Sequence, residues 1–207
     1  MERERLSNGG ADRQSHHIRR HPAVNVHHAT RYSERIGLPL NRFVTINLTK
    51  LGCAPKEAGR IFRRLRAERF APWLRRTSAN KGGVAPTYVW SLEAGGGHTA
   101  CHWLVHVPER MHRAFTAKLQ QWLASLAGEL PEEGVTDVRP VYNLVGARRY
   151  ILKGTEPVWA EHLAVRPVPQ GLVFGKRSGF SRNLGPAARK RGGYKPKPLR
   201  TKSASAA

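Results

Sequence analysis

Two short patterns in the sequence combine residue types that can carry out chemistry. The first is a set of histidines at even positions, His98, His102 and His106, in a segment rich in β-branched and aromatic residues. On a β-strand this spacing places the imidazoles on one face, where they are either metal ligands or ordinary half-buried side chains. The second is Tyr150 followed by Lys153. An ammonium beside a phenol favours the phenolate, which makes the phenol a better nucleophile.

Tyr150 and Lys153 are expected to lie on one helix face, because residues i and i+3 are neighbours on a helix. Asn143 and Gly146 lie behind them on the same face, and the absence of a side chain at Gly146 leaves room for a nucleic-acid strand to approach. A Tyr-x-x-Lys pattern also occurs on ordinary helices. It therefore predicts catalysis only together with its surroundings.

The elements that must position these residues predict an α+β fold. Strand-forming residues predict strands at 42–48, 87–93, 98–107 and 135–142. Helical periodicity predicts helices at 55–70, 109–127 and 143–153, the last of which carries the Tyr-x-x-Lys pattern. The order β-α-β-β-α-β plus a further helix is the split β-α-β plan of ferredoxin-like domains. In that plan an antiparallel sheet has helices on one face and leaves the other face free for a ligand.

The composition predicts a polyanionic partner. The 207 residues include 36 Lys and Arg against 14 Asp and Glu, a formal net charge of +22. Such a charge favours nucleic acid over a membrane surface, since no apolar run approaches the length of a membrane span. There is no secretory apolar segment, and the two cysteines are too few for a disulfide framework. We therefore expect a cytoplasmic protein with no membrane contact.

Composition also divides the chain into three parts. Residues 1–40 are polar and rich in His and Arg, and are expected to form a flexible arm. Residues 41–165 contain the predicted elements and are expected to form the folded domain. Residues 166–207 are expected to form a disordered basic tail, because its ten Lys and Arg between positions 176 and 202 are accompanied by no acid. The tail either contacts phosphates independently of sequence or merely solubilises the protein.

Basic and aromatic side chains are the candidates for contact with nucleic acid. The predicted helix at 55–70 has several arginines on its polar surface, and the tail contains further lysines and arginines. Aromatic residues on the strands could stack on bases. The residues expected to bind nucleic acid are Arg60, Arg63, Arg64, Trp90, Lys176, Arg177, Arg182, Arg189, Lys190 and Arg191.

Three landmarks in one order carry a resemblance to a known family. They are a Phe-Val-Thr-Ile-Asn-Leu strand from Phe43, a histidine-bearing strand that ends in His106-Val-Pro, and Tyr150-Ile-Leu-Lys153. Over residues 42–154 the chain resembles the HUH-type single-strand DNA endonucleases, especially rolling-circle replication initiators and the similar relaxases. The resemblance implies that Tyr150 is the nucleophile and Lys153 its companion.

The same resemblance implies an activity. The tyrosine would attack single-stranded DNA at the origin of a phage, plasmid or mobile element, forming a 5′-phosphotyrosine and freeing a 3′-hydroxyl that primes replication. Residues 41–165 would then be the HUH-like nuclease domain. The sequence has no P-loop, so a host helicase and polymerase are expected partners.

The family also holds a divalent cation with a His-x-His pair, and here the chain departs from the pattern. Histidines four residues apart lie about 13 Å apart on a regular strand, and metal–nitrogen bonds are about 2 Å. We expect His102 to bind the metal with Glu93, which the glycine turn brings alongside, and His98 to be a third ligand if the turn folds it inward. His106 is expected to be structural. Such an open site would suit Mg²⁺ or Mn²⁺, and a weakly held or absent metal is the remaining alternative.

The incomplete histidine pair leaves a second hypothesis of a different class. The chain would then be a non-catalytic RNA- or DNA-binding protein on a ferredoxin-like sheet. Its stacking aromatics would be Tyr88, Trp90 and Trp103.

Overall fold

The computed structural model describes residues 13–79, 83–128 and 133–196. The strands are β1 (Gln14–Ser15), β2 (Arg42–Asn47), β3 (Tyr88–Gly95), β4 (His98–Val105), β5 (Thr136–Pro140), β6 (Val173–Phe174) and β7 (Ser178–Phe180). The helices are α1 (Arg20–Arg35), α2 (Ala58–Arg64), α3 (Ala71–Ser78), α4 (His112–Ala127), α5 (Leu144–Ile151), α6 (Pro157–Ala160) and α7 (Pro186–Arg191). A π-helical segment, Leu65–Phe70, joins α2 to α3. Short 3₁₀ turns lie at Pro55–Glu57, Glu109–Met111, Glu161–Leu163 and Arg182–Leu184.

The fold is α+β, built on a five-stranded antiparallel sheet with the strand order β5-β2-β4-β3-β7. A small second sheet pairs β1 with β6. The hairpin of β3 and β4 turns at the predicted glycines, where Gly96 and Gly97 adopt φ values of 62° and 80°, a region that glycine enters without steric cost. None of the helices in the described ranges is long and apolar enough to cross a bilayer.

One face of the sheet is covered by α2, the π-helical segment, α3 and α4. Aromatic side chains fill this core in edge-to-face contacts. Phe70 lies 5.0 Å from Trp103 and Phe115 lies 5.9 Å from it, measured between ring centroids. Trp103 and Phe115 have no exposed surface. Aromatic burial of this kind is a large part of what stabilises a core.

The expectation that Trp90, with Tyr88 and Trp103, stacks on bases is wrong. The side chain of Trp90 is 3% exposed and packs on Phe62 beneath α2. The reason is the strand period: even positions of β3 and odd positions of β4 point to the helix-covered face. The rings of Trp90 and Trp103 are therefore closed to nucleic acid, and only 7% of Tyr88 is exposed.

The opposite face of the sheet is not free, which corrects a second expectation. Val89 and Leu104 on this face pack into a separate apolar cluster with α1 and with the end of α5. Ile151 and Leu152 anchor α5 to the same cluster. The site therefore lies beside a helical cover and not on a bare sheet.

The expected flexible arm is wrong for the described residues 13–40. Arg20–Arg35 is a helix whose Ala23, Val26 and Ala29 have no exposed surface. These residues follow an i, i+3, i+6 spacing and form an apolar stripe, which the surrounding histidines and arginines concealed in the sequence. His28 is also buried, with Nδ1 3.2 Å from the Tyr194 hydroxyl. Residues 1–12 lie outside the described part of the chain.

The expected disordered tail is likewise wrong for residues 166–196. β7 pairs with β3 in the main sheet, and two of the predicted DNA-binding arginines are buried. Arg177 donates to the carbonyl oxygens of Ser15 and Gly171, and Arg189 donates to Asn25. These contacts satisfy the guanidinium donors inside the fold, so neither side chain is available to phosphate. Residues 197–207 lie outside the described part of the chain.

Candidate active site

Four side chains named from the sequence meet on the face of the sheet covered by α1 and α5. His102 Nε2 lies 2.8 Å from Glu93 Oε1, and Glu93 Oε2 lies 2.8 Å from Lys153 Nζ. Lys153 Nζ lies 3.9 Å from the centroid of the Tyr150 ring. The Tyr150 and His102 rings meet edge to face with centroids 4.9 Å apart. The histidine pattern and the Tyr-x-x-Lys pattern therefore form one cluster.

The β3–β4 hairpin brings Glu93 to His102. His102 is paired with Ser91, and Glu93 is paired with Ala100, so the two side chains are diagonal neighbours on one face. The small side chain of Ala100 leaves Glu93 room to reach across. This confirms that the glycine turn places Glu93 alongside His102.

Strand β2 holds the imidazole from its other side. Thr45 is directly opposite His102, and its Oγ1 lies 3.2 Å from His102 Nδ1. Phe43 stacks on the His102 ring at 5.7 Å and meets the Tyr150 ring edge to face at 5.5 Å. With Nδ1 engaged by Thr45, Nε2 is directed at Glu93. Neither role was predicted from the sequence, although the alternation of side chains on a strand places Phe43 and Thr45 on one face.

Helix α5 carries Tyr150, and its N-terminus is capped by Asn143. The Asn143 side chain accepts a hydrogen bond of 2.9 Å from the Gly146 backbone N–H. A side chain at Gly146 would meet Asn143 Nδ2 at 3.1 Å. The glycine therefore makes room for this cap, and the expectation that it makes room for a nucleic-acid strand is wrong.

Lys153 lies beyond the end of the helix, and the predicted extent of that helix, 143–153, is too long. Helix α5 ends at Ile151, and Lys153 N donates to Tyr150 O at 3.1 Å in a final turn. Its carbonyl oxygen accepts a hydrogen bond of 2.8 Å from Val168 N. The buried Leu152 and this backbone bond hold Lys153 close to Tyr150.

Glu93 and Lys153 each stabilise the charged form of the other. Burial alone would raise the pKa of Glu93, but contact with His102 and Lys153 outweighs it, and the pKa is lowered. Burial likewise disfavours the charged form of Lys153, yet Glu93 and Tyr150 together raise its pKa. At neutral pH the pair is therefore a carboxylate and an ammonium. The Tyr150 side chain remains reachable, since the residue is 45% exposed.

His102 and Glu93 are the two side chains of this cluster whose donor atoms divalent cations use. Both are already engaged, His102 Nε2 by Glu93 Oε1 and Glu93 Oε2 by Lys153 Nζ, so a cation would have to replace the direct contact between His102 and Glu93. One imidazole nitrogen and one carboxylate with open positions are donors that Mn²⁺ or Mg²⁺ accepts. Across residues 13–79, 83–128 and 133–196 no three His, Cys, Asp or Glu side chains converge.

The other two histidines of the strand do not join this pair. His98 is exposed at the turn end of β4, so the structure does not support it as a third ligand. His106 lies just after β4, with Nδ1 2.8 Å from the Pro39 carbonyl oxygen. Burial lowers the pKa of His106, as fits a structural residue.

The basic residues named from the sequence are spread over several surfaces. Arg60, Arg63 and Arg64 lie on α2, across the sheet from the Tyr150 cluster, and Arg60 and Arg64 pair with Glu57 and Glu68. Lys176, Arg182, Lys190 and Arg191 are exposed. The structure does not bring any of these residues into the cluster itself.

Comparison with protein-family models, with curated proteins and with solved structures finds no match to this chain. What the site does is therefore inferred from its own geometry. That geometry is an accessible phenol beside an ammonium, next to a histidine–carboxylate pair.

Proposed function

We propose that the protein is a metal-dependent tyrosine endonuclease that nicks single-stranded DNA through a 5′-phosphotyrosine. Its role would be to initiate rolling-circle replication of a phage, plasmid or mobile element, with a host helicase and polymerase as partners. The observation that carries the proposal is the convergence of Tyr150 and Lys153 with Glu93 and His102. The resemblance to HUH-type endonucleases implies the roles of Tyr150 and Lys153, whereas Glu93 stands with His102 where that family has a His-x-His pair.

The strand order supports a ferredoxin-like plan for the nuclease domain. The connection from β2 through α2 and α3 to β3 leaves β4 between the two strands, and that from β4 through α4 to β5 leaves β2 between them. Such skipped strands are the mark of two split β-α-β units. In this proposal β7 is an addition to the edge of that plan.

In the proposed reaction the phenol oxygen of Tyr150 attacks phosphorus and the P–O3′ bond breaks. The proton of Tyr150 passes to water, which the exposed ring allows, and the departing 3′ oxygen takes a proton from water. Because Lys153 stays protonated, it acts as a cation beside the phenolate and not as a base. Glu93 keeps Lys153 charged and in place.

His102 and Glu93 are the residues that would hold Mg²⁺ or Mn²⁺. Such a cation polarises a phosphate oxygen and offsets the charge that develops on the phosphate. Thr45 and Phe43 fix the orientation of the imidazole, as partners of ligating histidines commonly do.

The proposal is tested by trapping the covalent intermediate. A library of single-stranded oligonucleotides is incubated with the protein and Mn²⁺, the mixture is denatured, and protein-linked DNA is isolated and sequenced. We expect an adduct that requires Mn²⁺ and is lost in Tyr150→Phe. The matched control is Tyr142→Phe, because Tyr142 is 94% exposed and lies just before α5.

Two outcomes would contradict the proposal. An adduct formed by Tyr150→Phe at wild-type yield would remove Tyr150 from the reaction. Tight binding of the oligonucleotides with no adduct in the wild-type protein would favour the non-catalytic nucleic-acid-binding protein instead.

A further inference from the structure

A groove of about 1160 Å³ opens beside the start of β3, between α3 and the C-terminal segment. Four arginines line it, Arg66, Arg75, Arg182 and Arg191, and no Asp or Glu is among its described lining residues. The remaining walls are mostly small or apolar side chains. Within the described residues none of the four arginines forms an ion pair with a carboxylate. The groove therefore concentrates positive charge that no carboxylate of the described residues pairs with.

Arg66 is held in place at the inner wall. Its Nη1 donates a hydrogen bond of 3.2 Å to the Tyr88 hydroxyl, and its guanidinium carbon lies 5.4 Å from the centroid of the Trp90 ring. Its Nε is buried without a hydrogen-bond partner in the described structure. Aromatic faces stabilise a guanidinium without cancelling its charge. Arg66 is therefore a cation in a fixed position that can donate further hydrogen bonds to a ligand.

The opposite wall is fixed by a second set of hydrogen bonds. Asn183 Nδ2 donates to Thr87 Oγ1 at 2.6 Å, and Tyr88 N donates to Ser181 Oγ at 3.0 Å. These bonds hold the 181–183 turn against the start of β3 and place Arg182 at the groove. Arg191 follows at the end of α7. The fold thus assembles one basic groove from helix α3 and from a segment that is distant in sequence.

We propose that this groove binds the phosphodiester backbone of a single nucleic-acid strand, at a place separate from the Tyr150 cluster. The positive charge of the groove is complementary to phosphate. Arginine suits phosphate especially well, because its planar guanidinium can donate two hydrogen bonds to phosphate oxygens. The volume is slightly above that of pockets enclosing drug-sized molecules, about 300–1000 Å³, so a few nucleotides fit. A flexible single strand can follow the walls of this open groove with several phosphates, whereas a stiff duplex reaches it only with the phosphates on its convex outer surface.

The groove and the Tyr150 cluster share no lining residue. The π-helical segment and α3, which form one wall, pack against the sheet face opposite to the one that carries His102. Binding in the groove therefore does not require cleavage, and this inference holds whether or not the protein cuts DNA.

The test compares two triple variants of equal charge. Arg75→Ala/Arg182→Ala/Arg191→Ala removes three exposed groove arginines, and Arg66 is left intact because it also packs in the core. The control Arg76→Ala/Arg110→Ala/Arg113→Ala removes three exposed arginines outside the groove. Binding of a labelled mixed-sequence 20-nucleotide single strand is measured over a series of salt concentrations without divalent cation.

We expect the groove variant to bind at least about tenfold more weakly. Its salt slope should fall by about 2, since each lost phosphate contact on a single strand contributes about 0.7. The control should change both quantities much less. If the two triple variants lose the same affinity for the single strand, the groove is not its binding site. If the matching duplex competes as well as the single strand does, the assignment to a single strand is wrong.

Discussion

Glu93 Oε2 and Lys153 Nζ form an ion pair at 2.8 Å that joins strand β3 to the turn after helix α5. Both side chains are about four-fifths buried, with exposures of 21% and 19%. The pair links the histidine-bearing hairpin to the segment of Tyr150, beside the contact between the His102 and Tyr150 rings. Removal of the pair should therefore affect both the rate of adduct formation and the packing of the segment of Tyr150 against strand β3.

Lys153→Ala is expected to slow adduct formation by about a hundredfold, because it removes a preorganised charge beside the nucleophile. Affinity for single-stranded DNA should change less than about twofold, since one of many cations is lost. Single-turnover adduct formation and a separate binding titration measure the two effects. Lys118→Ala, an exposed lysine on α4, is the control. An unchanged rate would contradict the assigned role.

Glu93→Gln is expected to lower the free energy of unfolding by about 1–3 kcal/mol, because it leaves a largely buried ammonium without a countercharge. Urea titration measures this. The control Glu57→Gln, which breaks the exposed pair with Arg60, should cost less than about 1 kcal/mol. Adduct formation by Glu93→Gln should also need a higher Mn²⁺ concentration. The same Mn²⁺ dependence as in the wild-type protein would argue against Glu93 as a ligand.

Asn143→Ala is expected to cost about 1 kcal/mol of stability, since it removes the N-cap of α5. Adduct formation should slow as well, because that helix positions Tyr150. Asn143→Ser retains an oxygen that can accept from the Gly146 N–H, and should restore most of both properties. If the alanine and serine variants behave alike, the cap is not what positions the tyrosine.

His28 is expected to make the protein less stable in acid. Burial, followed by the nearby Arg189, lowers the pKa of His28 from 6.5 to about 4. Because this folded-state pKa lies below the unfolded value, the stability it contributes is present above about pH 6.5 and lost as the pH falls towards 4. The loss should be on the order of 1–3 kcal/mol.

Unfolding measured between pH 7 and pH 4 tests this expectation. His28→Gln should flatten the pH dependence, whereas His21→Gln, at an exposed position of α1, should not. Parallel curves for the wild-type protein and His28→Gln would show that another group controls the acid sensitivity.

Gly171→Ala is expected to destabilise the fold severely, by more than about 3 kcal/mol, because the new methyl group has no room. It would lie 1.7 Å from the Ala94 carbonyl oxygen, and residue 171 has a φ of 62°. Gly193→Ala is the matched control, with a φ of 61° and no atom within 4 Å of the added carbon. It should cost only the conformational strain, about 1 kcal/mol. Thermal unfolding of the two variants separates steric clash from strain.

The β3–β4 hairpin and the meeting of Glu93 with His102 could be predicted because they depend on local signals. The alternation of side chains and a run of glycines determine both the turn and the shared face. The end of α5 could not be predicted as well. The helix stops two residues before Lys153, and no glycine or proline lies between Ile151 and that lysine to signal the end. The final turn there depends on tertiary contacts such as Val168 with Lys153.

The two terminal segments could not be predicted, because what orders them lies far away in the chain. His28 Nδ1 contacts the hydroxyl of Tyr194, and Arg177 donates hydrogen bonds to the carbonyl oxygens of Ser15 and Gly171. A basic and polar composition normally signals disorder. Here the charges are satisfied by backbone carbonyls and side-chain amides that no local pattern reveals.

The contact between Arg189 and helix α1 bears on how fast the protein folds. Arg189 donates to the carbonyl oxygen and the side-chain oxygen of Asn25, which lies 164 positions away in the sequence. A contact between segments so distant in sequence costs loop-closure entropy before it stabilises the fold, and such contacts slow folding. We therefore expect α1 to dock over the sheet late in folding, after the local β3–β4 hairpin has formed.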